Sequence, residues 1–215
     1  VLSIGGAIVA ANEELAPADR RLYALRDATA TVASLPLIAS SIMSKKLATG
    51  ITGLVLDVKV GNGALLHDQP AARALAHTLV TLAQDQGLAC RALLTDMNQP
   101  LGYAVGNALE VAEVIGALQG QGPSDLMTLT LALGSEMVMM AKLASDYHQA
   151  QTLLVEALAS GEALAAFKAL IVAQGGDARV LTQPERLPQA PYQTSIYAPQ
   201  AGYLSEIDTQ GVGLT

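Results

Sequence analysis

Along the chain, short apolar runs alternate with longer stretches in which apolar positions return every three to four residues, and Gly, Pro or Asp marks most of the changeovers. "IGGAIVA" at 4–10 reads as a short buried strand. Pro17 and Asp19 then stand where a helix would begin. A second helix is predicted through "VASLPLIASSIMSKKLATG", with Ser34 as N-cap, Pro36 tolerated in the first turn and Gly50 as the stop. "GLVLDVKV" at 53–60 is rich in Val and Leu and bounded by Gly, the pattern of a parallel strand buried on both faces.

A helix from about Pro70 to Gln86 follows, with Leu75, Leu79 and Leu82 at helical spacing, and then a strand at about 89–95 that opens into a polar loop. Strand, helix, strand, loop, helix is the order of a βαβ unit. Helices are predicted at 106–118, 125–143, 147–159 and 162–173. The Gly, Pro and Gln content of 174–193 reads as a linker, "TSIYAPQAGYLSEID" as short strands with a turn, and a boundary falls near 190.

Composition supports an α/β globule. Of the 215 residues, 51% are hydrophobic and 14% charged, with one Phe and no Trp, so aliphatic side chains and Ala must fill the core. The net charge of -7 comes without a basic block, which argues against a nucleic-acid partner. No stretch approaches the ~20 apolar residues of a membrane span. Cys90 is alone, which fits a reduced, cytoplasmic setting and a small buried side chain in a strand.

Against this sparse charge, the segment 22–50 stands out, because Arg26, Ser34, Ser40, Ser41, Ser44, Lys45 and Lys46 crowd an otherwise apolar stretch. Residues four apart share a helix face, so Ser41 and Lys45 point the same way, and Arg26 is far enough upstream to converge on them. Hydroxyl, ammonium and guanidinium together suit an anionic or carbonyl-rich ligand. Equally, helical Ser can bond its own backbone, and a Lys pair at a helix C-terminus meets the macrodipole favourably. Spacing does not decide between these readings.

"YALRDATATVASLPLIASSIMSKKLATG", "GLVLDVKVGNGA", "TDMNQPLGYAVGNALEVAE" and "QGGD" together closely resemble the pyrimidine-nucleoside phosphorylase and thymidine phosphorylase family, over almost all of the chain. The form "QPLGYAVGNALEV" is nearer the broad-specificity pyrimidine enzymes. The resemblance implies reversible phosphorolysis of uridine, thymidine or deoxyuridine to free base and sugar 1-phosphate. It puts Arg26 and Lys45 on the pyrimidine carbonyl oxygens as the catalytic cations, Ser41 on the ring edge, Tyr23 close by, and Val32, Ile38 and Ile42 along an apolar wall. It also implies potassium, held by the backbone oxygens of Leu101 and Ala104 and the carboxylate of Glu113, with Glu110 the nearby competitor. Phosphate is the implied co-substrate and a homodimer the implied assembly.

The architecture so implied is α/β, a mixed sheet flanked by helices, plus part of a small all-helical domain. Residues 1–16 would open the α/β domain, 17–49 belong to the helical domain, 50–190 continue the α/β domain, and 191–215 begin a C-terminal α+β domain that is cut short. The family's phosphate-gripping stretches, Lys-His-Ser-Thr-Gly-Gly and Ser-Gly-Arg-Gly, do not occur in the chain. The expectation is therefore a central piece that is inactive alone. His67, His77 and His148 receive no role from the resemblance, and Leu65 stands where the family usually has a Phe of the base pocket. "VKVGNG" lacks the third Gly of a dinucleotide loop, with Leu66 in its place. Two other readings stay open: an anthranilate-type phosphoribosyltransferase and an inactive binding or dimerisation module.

Overall fold

In the computed structural model, residues 3–9 and 15–214 are described. The first two helices are α1 (Pro17–Ala28) and α2 (Leu35–Ala48). Each begins with a proline in its first turn, where a missing N–H costs nothing. Ser34 is the N-cap residue of α2, although its side chain makes no capping bond, and Gly50 takes the left-handed backbone (φ 67°) just past the end. Helix α1 buries only Arg26, so polar bonds rather than apolar packing hold it to α2.

Strands β1 (Gly53–Val60) and β2 (Ala89–Asp96) pair in parallel, with Gly53 opposite Ala89 and Val60 opposite Asp96. The crossover between them is α3 (Gln69–Asp85), capped by Asp68, whose carboxylate accepts from the Ala71 N–H at 2.8 Å. Alternate strand residues face opposite ways. Leu54, Val58 and Cys90 are therefore buried on one face, together with Ala72, Leu75, Ala76, Leu79 and Ala83 of α3 and Ile38, Ala39 and Met43 of α2.

The opposite face is covered by α5 (Ser124–Met140), and less completely. Gly53 lets α5 come close, since a methyl there would lie 2.6 Å from the sulfur of Met140. Towards the strand ends this face turns polar: Asp57 pairs with Lys59 at 2.7 Å and accepts from the Thr95 hydroxyl. Burial on both faces of β1 was expected, but only the face toward α3 is closed. The remaining helices are α4 (Asn107–Leu118), α6 (Tyr147–Ala159) and α7 (Glu162–Ala173). Two short 3-10 turns follow at Ala178–Leu181 and Pro184–Arg186, and α8 (Thr209–Leu214) comes last.

Other expectations need correcting. Residues 6–9 form no strand, and Ile8 and Val9 are exposed; Ala10 lies outside the described residues. A strand needs a neighbouring backbone for its ladder. Here the Gln174 carboxamide serves that purpose for one residue, donating to the Ile8 carbonyl at 2.7 Å and accepting from its N–H at 3.0 Å. Residues 191–208 likewise form no strands, and Tyr192, Ile196, Tyr197, Tyr203 and Leu204 are exposed for the same want of a partner. On α3 the core position is Ala83, four residues after Leu79, while Leu82 is exposed. Helix α5 stops at Met140 rather than 143, where Lys142 turns left-handed.

Candidate functional site

Helix α1 repeats its polar positions at four and then three residues, placing Asp19, Tyr23 and Arg26 on one stripe. That stripe faces Ser41 and Lys45 of α2. The Lys45 ammonium donates to Asp19 Oδ2 at 2.5 Å, to Ser41 Oγ at 2.8 Å and to the Ser41 carbonyl at 3.0 Å. Ser41 Oγ in turn donates to Asp19 Oδ2 at 3.0 Å. Burial acts to raise the Asp19 pKa, but the hydrogen bonds from Lys45 and Ser41, with the charges of Lys45 and Arg26, outweigh it and hold the carboxyl below its ordinary range.

Arg26 is buried beside this group. Its guanidinium donates to the Leu37 carbonyl at 3.1 Å and to the Val32 carbonyl, and its Cζ lies 5.2 Å from the centre of the Tyr23 ring, a cation–π contact. The carbonyl bonds engage two of the five N–H donors of a guanidinium, and Nε has no partner. Thus Tyr23, Arg26, Ser41 and Lys45 are brought together. Ile38 lies in the core cluster and Ile42 packs against it, and Val32 contributes its backbone carbonyl to Arg26.

A second polar constellation lies in the loop after β2. Four of its amides point at carboxylates: Gly102 N–H donates to Asp125 at 3.0 Å, Tyr103 and Ala104 to Glu113 Oε1 at 2.8 and 3.1 Å, and Gly106 to Glu110 at 3.0 Å. The hydrogen bond from Gly102, helped by that from Leu126, lowers the Asp125 pKa against the opposing effect of burial. Gly102 has a left-handed backbone, and any side chain there would strike the Glu113 carboxylate. Glu113 is therefore held against the loop by the Tyr103 and Ala104 amides. Among the described residues, no group of three or more His, Cys, Asp and Glu is arranged to hold a metal by side chains alone.

Between β2, this loop and the start of α5 lies a cavity of about 570 Å³, lined by Thr95, Asp96, Leu101, Ser124, Asp125 and Thr128 among others. It opens at the carboxyl end of the strands, the usual place for a ligand in a parallel sheet. Elsewhere, His67, His77 and His148 are exposed, as is Leu65. Cys90 is buried, which pushes its thiol pKa up and leaves it unreactive. Sequence reasoning missed Asp19 and Asp125. The four-and-three spacing of Asp19, Tyr23 and Arg26 was a usable signal for the first; nothing local marks the second.

Comparison with known proteins supports the resemblance. The chain is 51% identical over 208 residues to the pyrimidine-nucleoside phosphorylases of Staphylococcus aureus strains USA300 and NCTC 8325 / PS 47, covering 97% of this chain and 48% of each relative. It spans about half the length of the curated relatives it matches. Over residues 2–164 it matches the family described as glycosyl transferase family, a/b domain. With three quarters of its length inside that match, the chain belongs to the glycosyl transferase family and carries its a/b domain.

Proposed function

We propose that the protein carrying this chain is a pyrimidine-nucleoside phosphorylase, converting uridine, thymidine or deoxyuridine and phosphate to free base and (deoxy)ribose 1-phosphate. The observation that carries the reading is the cluster of Lys45, Ser41 and Arg26 on adjoining helices, in a chain half identical to phosphorylases of that name. In the reaction the bond between the sugar anomeric carbon and the pyrimidine nitrogen breaks, and a phosphate oxygen bonds to that carbon. The electron pair leaves with the base, which collects negative charge on its ring oxygens and is finally protonated.

Fixed cationic donors at those oxygens act where charge develops, so they favour the transition state over the bound nucleoside. Lys45 has three donors, all satisfied within the protein. Of these the Ser41 carbonyl is the acceptor most readily given up, because the Ser44 hydroxyl also donates to it at 3.1 Å. A base oxygen replacing that carbonyl leaves the Asp19 and Ser41 Oγ bonds intact. Arg26 brings its remaining N–H donors from the α1 side.

Potassium fits the loop in kind, since Glu113 and the carbonyls of Leu101 and Ala104 are hard oxygen donors on one short segment, and Glu113 already lies against it. Bound there, the ion would supply a positive charge that fixes the loop beside the strand ends. A homodimer is the assembly that the family resemblance implies for the whole protein, and Leu22 and Leu25 on α1 are exposed apolar side chains suited to such a contact. We assign residues 17–49 to a helical domain and 50–190 to the α/β domain, in a cytoplasmic enzyme. No described helix is long and apolar enough to cross a membrane.

The test is an assay of the full-length protein with uridine and thymidine, with and without phosphate. Uracil and thymine should be released only with phosphate, in step with sugar 1-phosphate. Base release that ignores phosphate, or none at all, would overturn the assignment.

A further inference from the structure

Ser41 Oγ sits between two groups of fixed and opposite polarity. Lys45 Nζ, 2.8 Å away, can only donate, and Asp19 Oδ2, 3.0 Å away, can only accept while ionised. Asp19 stays ionised because the lysine ammonium lies against the same oxygen. A serine hydroxyl ordinarily rotates to suit whatever it meets. This one cannot: its hydrogen is directed at Asp19, and one lone pair takes the Lys45 N–H. What remains for a ligand is a single lone pair.

We infer that Asp19 is a specificity-determining residue, which locks the Ser41 hydroxyl as an acceptor and so makes the site choose pyrimidines whose ring N3 carries a hydrogen. The inference rests on the proposed reading, in which Ser41 meets the edge of the base. Uracil and thymine present N3–H there and complete the hydrogen bond. Cytosine presents a bare N3 lone pair, so two acceptors are desolvated against each other with no bond formed. Asp19 achieves this without touching the base, by deciding which way a neighbouring proton points. Arg26, also close to Asp19, adds positive charge and helps to keep the carboxylate in its accepting form.

The experiment compares kcat/KM for uridine and cytidine in the full-length protein and its Asp19→Ala, Asp19→Leu and Asp19→Asn variants, with calorimetric binding of free uracil and cytosine alongside. Removing the acceptor lets the hydroxyl turn its hydrogen outward. The cytidine-to-uridine ratio should then rise about tenfold or more in Asp19→Ala. Asp19→Leu fills the vacated volume and carries the same test if Asp19→Ala folds poorly. Asp19→Asn, which can keep an amide oxygen where Oδ2 stands, should restore the wild-type ratio. A purely structural Asp19 would lower both substrates by one factor, and a ratio unmoved within twofold in Asp19→Ala and Asp19→Leu overturns the inference alone. No phosphate-dependent uracil release from the wild-type protein overturns the underlying reading and this inference with it.

Discussion

The helix pair α1–α2 and the loop at 101–106 solve opposite electrostatic problems with the same materials. On the helices, one carboxylate, Asp19, is shared by an ammonium and a hydroxyl, with a guanidinium close by, so the local balance is cationic. In the loop, the carboxylates of Asp125, Glu113 and Glu110 are met by backbone amides alone, so the balance is anionic. The first region is built to hand donors to a carbonyl or an anion. The second is built to keep acceptors beside the strand ends. The difference is one of supply: side-chain cations can be spent on a ligand, whereas backbone N–H groups neutralise no net charge.

The largest effect that can break this comparison is on the helix side. Lys45→Ala should lower kcat for phosphate-dependent uracil release by about 10²–10³, the usual cost of losing a donor to developing charge. A fall of less than tenfold would mean that the donor region does not serve the leaving base. Next comes Glu113→Ala, which leaves the Tyr103 and Ala104 amides without their acceptor and should cost about 1–3 kcal/mol in urea unfolding. The same change should abolish any rise in melting temperature with potassium over a bulky monovalent cation. If that rise survives, the ion binds elsewhere.

A smaller effect sharpens the contrast through pH and salt. Asp19 and Asp125 both have folded pKa values below the ordinary carboxylate value. Their stabilisation is therefore complete above about pH 4 and is lost as pH falls through the lowered folded value. Denaturation midpoints of wild type against Asp19→Asn and Asp125→Asn should differ at pH 7 and converge in acid. Added salt at pH 7 should shrink the Asp19 difference more, since its partner is an ammonium rather than an amide. Equal salt sensitivity would erase the distinction drawn between the two regions.

What could be read from the chain follows the same division between local and distant causes. Strand β1 and helices α6 and α7 occupy their predicted ranges because period and flanking Gly or Asp are local signals. Residues 6–9 and 194–208 were misread because an apolar segment becomes a strand only beside another backbone, and a neighbour's presence is not written in the segment itself. Ser41 and Lys45 were legible as an i, i+4 pair. Asp19 carries a spacing that points to Arg26, but its place beside Pro17 also fits a simple helix start. The loop amides were not legible, because the direction of a peptide N–H depends on backbone turns that residue identity leaves open. Glu113 was reached by family resemblance rather than by its surroundings.

The clasp of Gln174 on Ile8 also bears on the order in which the molecule comes together. Its two hydrogen bonds are exposed and join residues 166 apart in sequence. Closing so long a loop costs on the order of 4–5 kcal/mol in chain entropy, while two such bonds return only about 1 kcal/mol each. The clasp cannot nucleate anything. It closes after β1, β2 and the intervening helices have already brought the two ends near, which makes the Ile8 amide a marker of the last step of folding and one of the first to exchange with solvent.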